Sequence, residues 1–127
     1  MTQEYKELLL KDICSRLPYK VICQVEFKEN GKYNSKVMLL SGIFTDEAYF
    51  TTKGGSIYSN EYKPYLFPLS SMNEEQKQEY QHITERWMYD PAYSISDSTD
   101  WLNENHFDYR GLIEKGLAID ATGLNIY

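Results

Sequence analysis

The side chains best equipped for chemistry crowd one stretch, DWLNENHFDYRGLIEKGLA at residues 100–118, which holds Glu104, His106, Asp108 and Arg110. A His-x-Asp pair can bind a metal or relay a proton. Each residue also has a purely structural use. Asp108 can cap a helix start, Arg110 can pair with an acid, and His106 can end a helix. His82 and Glu85 stand one helical turn apart, a spacing that metal sites use, but the chain has two histidines in all. A metal would therefore need carboxylates from far along the chain, and a surface polar pair is the simpler reading. Cys14 and Cys23 show no CxxC or Cys/His ligand spacing; they read as two buried thiols in a reducing cytoplasm. The Gly54-Gly55 pair is followed by no Walker Lys-Ser/Thr and no helix start, so it reads as a turn. No nucleophile elbow, dinucleotide fingerprint or zinc-finger spacing occurs. The sequence thus assigns no catalytic residue, no metal ligand and no cofactor.

The elements around this stretch follow from periodicity. Asp97, Ser98 and Thr99 are N-cap types, Asp100 favours a first turn, and Trp101, Leu102 and Asn105 lie about a turn apart. That predicts a helix ending near His106. A second short helix is expected from Asp108 to Lys115, with Gly116 as its left-handed stop and Leu112 and Leu117 as the closing apolar pair. Upstream, residues 73–89 form a helix with a narrow stripe of Tyr80, Ile83, Trp87 and Met88. Ser71 and Glu74 match a capping box, and Asp90-Pro91 closes the helix. Residues 91–99 read as a surface loop.

In the first half, residues 3–17 place Tyr5, Leu9, Leu10, Ile13, Cys14 and Leu17 on one face, with Lys6, Lys11, Asp12 and Arg16 mainly on the other. Pro18 ends this helix. Residues 19–28 alternate as a half-buried strand, with Tyr19, Val21, Cys23, Val25 and Phe27 facing one way. Asn30-Gly31 suits a hairpin turn. Strands are expected at 36–44, with Gly42 as a bend or bulge, at 47–52 after a turn at Thr45-Asp46, and at 56–58. Residues 60–72, with Pro64 and Pro68, read as an extended connector carrying Leu66, Phe67 and Leu69 across the core. Residues 117–127 form a tail that can dock as an edge strand.

Charge separates the two halves. Residues 1–68 hold nine Lys/Arg and eight Asp/Glu, whereas residues 69–127 hold four and eleven. The acidic half repels phosphate, so nucleic acid is an unfavourable partner for it. The near-neutral half keeps a weaker nucleic-acid reading through Lys20, Lys28, Lys32 and Lys36. Twelve tyrosines against five phenylalanines lean toward an interface, because tyrosine joins a large apolar ring to a polar tip. No apolar run reaches the length of a membrane span.

The stretches KPYLFPLSSMNEEQ (63–76) and DWLNENHFDYRGLIEKGLA (100–118) resemble a family of small uncharacterised proteins of gut Bacteroidales-type bacteria and their prophages and mobile elements. The resemblance runs from about Asp12 to the tail. It implies a bacterial or phage cytoplasmic setting and carries no activity, cofactor or catalytic residue.

The expected fold is α+β in a single domain over 1–127. A helix packs on a small bent antiparallel sheet of three to five strands, tending toward a barrel (1–68), and an acidic helical cap follows (69–127). The leading functional expectation is a non-enzymatic protein-interaction module that binds another protein through exposed groups near the corner: Trp101, Glu104, His106, Asp108, Tyr109 and Arg110. The alternative is a small hydrolase or transferase using His106 with Asp108 and Glu104.

Overall fold

Helix α1 (Gln3–Arg16) starts where the Thr2 hydroxyl accepts the Tyr5 N–H at 3.1 Å. The computed structural model describes residues 1–45, 47–89 and 95–127, without the side chains of 87–89 and 95–96. The expectations for Asp46, Trp87, Met88, the Asp90-Pro91 stop and the first part of the 91–99 loop lie outside the described residues.

The buried face of α1 differs from the apolar stripe. Leu9 and Ile13 are buried as expected, but so are Asp12 and Arg16, both 0 % exposed, while Cys14 faces solvent. Asp12 and Arg16 stand one turn apart with Nε and Oδ2 at 2.7 Å. Mutual neutralisation makes a charged pair compatible with burial, and side-chain hydropathy alone does not reveal it.

Pro18 is the second residue of a 3-10 turn over Leu17–Tyr19, and Lys20 follows with a left-handed φ of 58°. Strand β1 (Ile22–Glu29) therefore starts three residues later than the alternation predicts. Asn30 and Gly31, with φ of 52° and 78°, make the tight turn into β2 (Lys32–Phe44), which is longer than expected. β2 bulges between Leu40 and Gly42, and pairs with β3 (Glu47–Thr52), which pairs with β4 (Gly55–Ser59).

The expected connector at 60–72 is instead a central strand, β5 (Tyr62–Pro68), antiparallel to β1. Pro64 does not break it, for a geometric reason. In the hairpin register Cys23 turns its backbone groups toward β2, so its partner Pro64 is in a pair that makes no hydrogen bond to β1. The missing N–H costs no ladder bond.

After a 3-10 turn (Leu69–Ser71), α2 (Glu74–Tyr89) begins with a capping box, but Asn73 and Gln76 form it rather than Ser71 and Glu74. Asn73 Oδ1 accepts the Gln76 N–H at 2.8 Å, and Gln76 Oε1 accepts the Asn73 N–H at 3.0 Å. Helix α3 (Ile95–Glu104) starts earlier than expected, so Asp97, Ser98 and Thr99 lie within it rather than capping it. Two short strands follow, β6 (Phe107–Asp108) and β7 (Ile119–Asp120), both parallel to β5.

The fold is α+β. Its sheet has the order β4-β3-β2-β1-β5-β6, with β7 also on β5. It is mixed rather than purely antiparallel, has more strands than expected, and stays open. The back half is consequently not only a helical cap, since it contributes two strands. The main core joins Leu9 and Ile13 of α1 to Val21, Cys23, Val25, Leu40 and Phe50 of the sheet side, and to Leu66, Leu112 and Leu117. A second cluster joins Trp101, Leu102 and Phe107 to Tyr80 and Ile83 of α2. Among the described residues, no helix is long and apolar enough to cross a membrane.

Candidate functional site

The corner that concentrates chemical side chains is built on the α1 ion pair. Arg16 Nη2 donates to the Phe107 carbonyl at 2.7 Å, and Arg110 Nη1 donates to Asp12 Oδ1 at 2.9 Å. Arg110 Nη1 also lies 2.8 Å from the Tyr109 hydroxyl, which donates to Asn103 Oδ1 at 2.8 Å. Both guanidinium groups lie over the Tyr109 ring, at 5.2 Å for Arg16 and 4.6 Å for Arg110. One carboxylate thus holds two arginines and ties α1 to residues 103–110.

Asp108 behaves as a cap, though not of a helix. Residues 109–116 form a bend and one turn rather than the expected second helix. Gly111 is left-handed at φ 73°, which delays the turn, so Asp108 Oδ1 and Oδ2 accept the N–H groups of Leu112 and Ile113, each at 2.9 Å. The expected stop is present. Gly116 has φ 74°, its N–H reaches the Ile113 carbonyl at 3.1 Å, and the Leu117 N–H reaches the Leu112 carbonyl at 2.9 Å. With both Leu112 and Leu117 in the main core, the motif survives without its helix.

His106 also has a structural post. It follows α3 in a left-handed conformation (φ 62°), and its carbonyl accepts the Phe67 N–H at 2.8 Å. Its ring stacks on Tyr127 at 3.7 Å between centroids. Burial, and then the nearby Arg16 charge, lowers its pKa from 6.5 to about 4. Its Nδ1 is buried and has no hydrogen-bond partner among the described residues, while both Asp108 oxygens accept backbone N–H groups. The two residues therefore do not form the His–Asp pair that a proton relay needs.

Of the remaining corner residues, Trp101 is 7 % exposed, stacked between Tyr80 and Phe107 at 5.5 and 5.7 Å. The expectation of an exposed aromatic there is corrected, and Asp108 is buried too. Glu104 is exposed, and His106, Tyr109 and Arg110 keep partial exposure. His82 is exposed on α2, where Glu85 accepts from Gln81 at 2.9 Å.

Sequence reasoning missed an exposed aromatic cluster on the β meander. Phe44 and Tyr58 are 56 % and 54 % exposed, with ring centroids 5.6 Å apart, and Tyr49 packs on Tyr58 at 4.9 Å. The bulge after Leu40 sets Gly42 beneath these rings, opposite Tyr49. The one available signal was an aromatic residue in each of three adjoining strands. Beside this cluster, two hollows of about 310 and 540 Å³ lie between the hairpin end of β1 and strand β4. Phe27, Lys28 and Ile57 line both.

No protein-family model, curated protein or solved structure matches the chain.

Proposed function

We propose that the protein is a non-enzymatic interaction module that binds another protein through its β meander. The exposed Phe44 and Tyr58, packed with the half-buried Tyr49, carry this reading. Large rings left open to water on a rigid sheet give contact area at low conformational cost, and aromatic residues are enriched where interfaces form. The corner residues act mainly from within: Trp101, Asp108 and Arg110 hold the scaffold, and Glu104 is left on the rim. The exposed Cys14 and the buried Cys23, both unpaired, suit a reducing compartment such as a bacterial cytoplasm. The bacterial or mobile-element setting implied by the family resemblance indicates where to look for the partner.

The test is capture from nuclease-treated lysate of a gut Bacteroidales host. Wild-type bait is compared with a Phe44→Ser/Tyr58→Ser variant and with a Glu74→Ser/Lys77→Ser control on the exposed face of α2. The reading expects a protein retained by wild type and control and lost with the aromatic variant. Retention by all three baits, or by none with the baits shown to be folded, contradicts it.

A further inference from the structure

The two hollows mark a place where the sheet fails to close. Strand β1 pairs with β5 only over Cys23–Val25, and a single further bond runs from the Glu26 N–H to the Glu61 carbonyl at 2.9 Å. Among the described residues, β1 beyond Glu26 pairs only with β2, and β4 pairs only with β3. The Ser59 hydroxyl donates to the Glu26 carbonyl at 2.7 Å, which is where the free edges of β1 and β4 touch. From that contact to the hairpin tip the hollows separate them.

The direction of the free backbone groups follows from the register. Glu26 turns both its N–H and its C=O away from β2, as its bonds to Glu61 and Ser59 demonstrate. Antiparallel strands alternate residue by residue, so Phe27 bonds across to β2 and Lys28 points its N–H and C=O into the gap. The floor is apolar, with Phe27, Met38 and Ile57. The two hollows differ in charge: Lys28, Lys36 and Glu29 line one, whereas Lys28 is joined by Glu26, Glu47 and Glu61 in the other, near Ser59.

We propose that this gap receives an extended peptide segment of the partner protein, added as a strand between β1 and β4. Unpaired strand edges recognise another backbone, and alternate side chains supply the specificity. The inward side chains of the segment are apolar and rest on Phe27, Met38 and Ile57. An acidic side chain lies beside Lys36, which reaches over Phe27, and a basic one beside the glutamates at the Ser59 end. This deepens the interaction reading and rests on it, since the gap adjoins the Phe44–Tyr58 cluster through Tyr58.

The probe is a phage-displayed library of random linear peptides selected on the wild-type protein, with the enriched peptide then made synthetically. Selected sequences are expected to alternate apolar and polar residues, with opposite charges toward their two ends. Amide hydrogen exchange gives the direct readout: the Lys28 N–H is unprotected in the free protein and becomes protected on peptide addition. Lys28→Pro removes that N–H without removing a ladder bond and is expected to weaken binding by roughly two- to tenfold, the equivalent of one hydrogen bond. Lys28→Ala, which keeps the N–H, is expected to lose less. Should Lys28→Pro fail to fold, the exchange measurement decides alone.

A peptide that binds while Lys28 stays unprotected, and is lost with Phe44→Ser/Tyr58→Ser, overturns strand addition and leaves the interaction reading standing. A single-stranded oligonucleotide or a second copy of this chain protecting Lys28 in place of the peptide overturns the peptide assignment. Failure of the lysate capture described above bears on the interaction reading alone.

Discussion

Arg16 Nη2 donates to the carbonyl of Phe107 at 2.7 Å, joining residues 91 positions apart in the interior. Together with Asp12 and Arg110 this contact fixes the first helix against the segment that follows α3. The charges of the corner lock two distant parts of the chain.

Removing one member of this lock leaves a buried charge short of its partner. Arg16→Met is expected to destabilise the protein by about 3–5 kcal/mol, measured by urea unfolding. Asp12→Leu combined with Arg16→Met is expected to be clearly less damaging than the sum of the two single changes. Strict additivity would show that the pair is not coupled in the folded protein.

Tyr127 repairs a ladder. β1 and β5 last pair at Cys23–Pro64, and at the next position the Tyr127 hydroxyl accepts the Ile22 N–H and donates to the Tyr65 carbonyl, each at 2.8 Å. Tyr127→Phe keeps the ring on His106 but removes this bridge. A loss of about 1 kcal/mol is expected, with faster hydrogen exchange at the Ile22 amide and none at Cys23. Unchanged exchange at Ile22 would show that the strands hold without the hydroxyl.

His106 makes stability depend on pH. Its folded pKa, about 4, lies below the ordinary 6.5, so the unfolded chain binds the proton more tightly. The contribution is therefore full above pH 6.5 and is lost as the pH falls toward 4. His106→Asn preserves a residue type that tolerates the left-handed φ of 62°. Thermal melts across that range are expected to show a flatter profile for the variant. Parallel profiles would remove His106 as the source.

Two glycines in open space isolate the cost of backbone strain. Gly116→Ala places a Cβ in open space but at φ 74°, so the expected loss of about 1–2 kcal/mol is conformational. Gly54→Ala, also in open space and without a positive φ, is expected to be close to neutral. Calorimetry of the two variants distinguishes them.

Local signals were legible where they are short in range. Asn30-Gly31 announced its hairpin, Gly42 its bulge, and Leu112, Gly116 and Leu117 their stop, because each motif contains its own hydrogen bonds. What escaped depends on partners far along the chain. Asp12 and Arg16 read as solvent-facing until Phe107 and Arg110 are brought to them. Residues 60–72 read as a connector because Pro64 forbids a strand only if its nitrogen faces a neighbour, and the register with Cys23 decides that. The aromatic cluster was equally hidden, since only sheet pairing brings Phe44, Tyr49 and Tyr58 together.

The central claim is that the β meander, not the corner around Arg110, carries recognition. The most direct measurement titrates the captured partner against three folded forms: wild type, Phe44→Ser/Tyr58→Ser, and Glu104→Ala on the exposed rim of the corner. The account predicts affinity at least about tenfold weaker for the aromatic variant, as for an interface hot spot, and unchanged for Glu104→Ala. Full affinity in the aromatic variant with loss in Glu104→Ala would contradict it and return recognition to the corner.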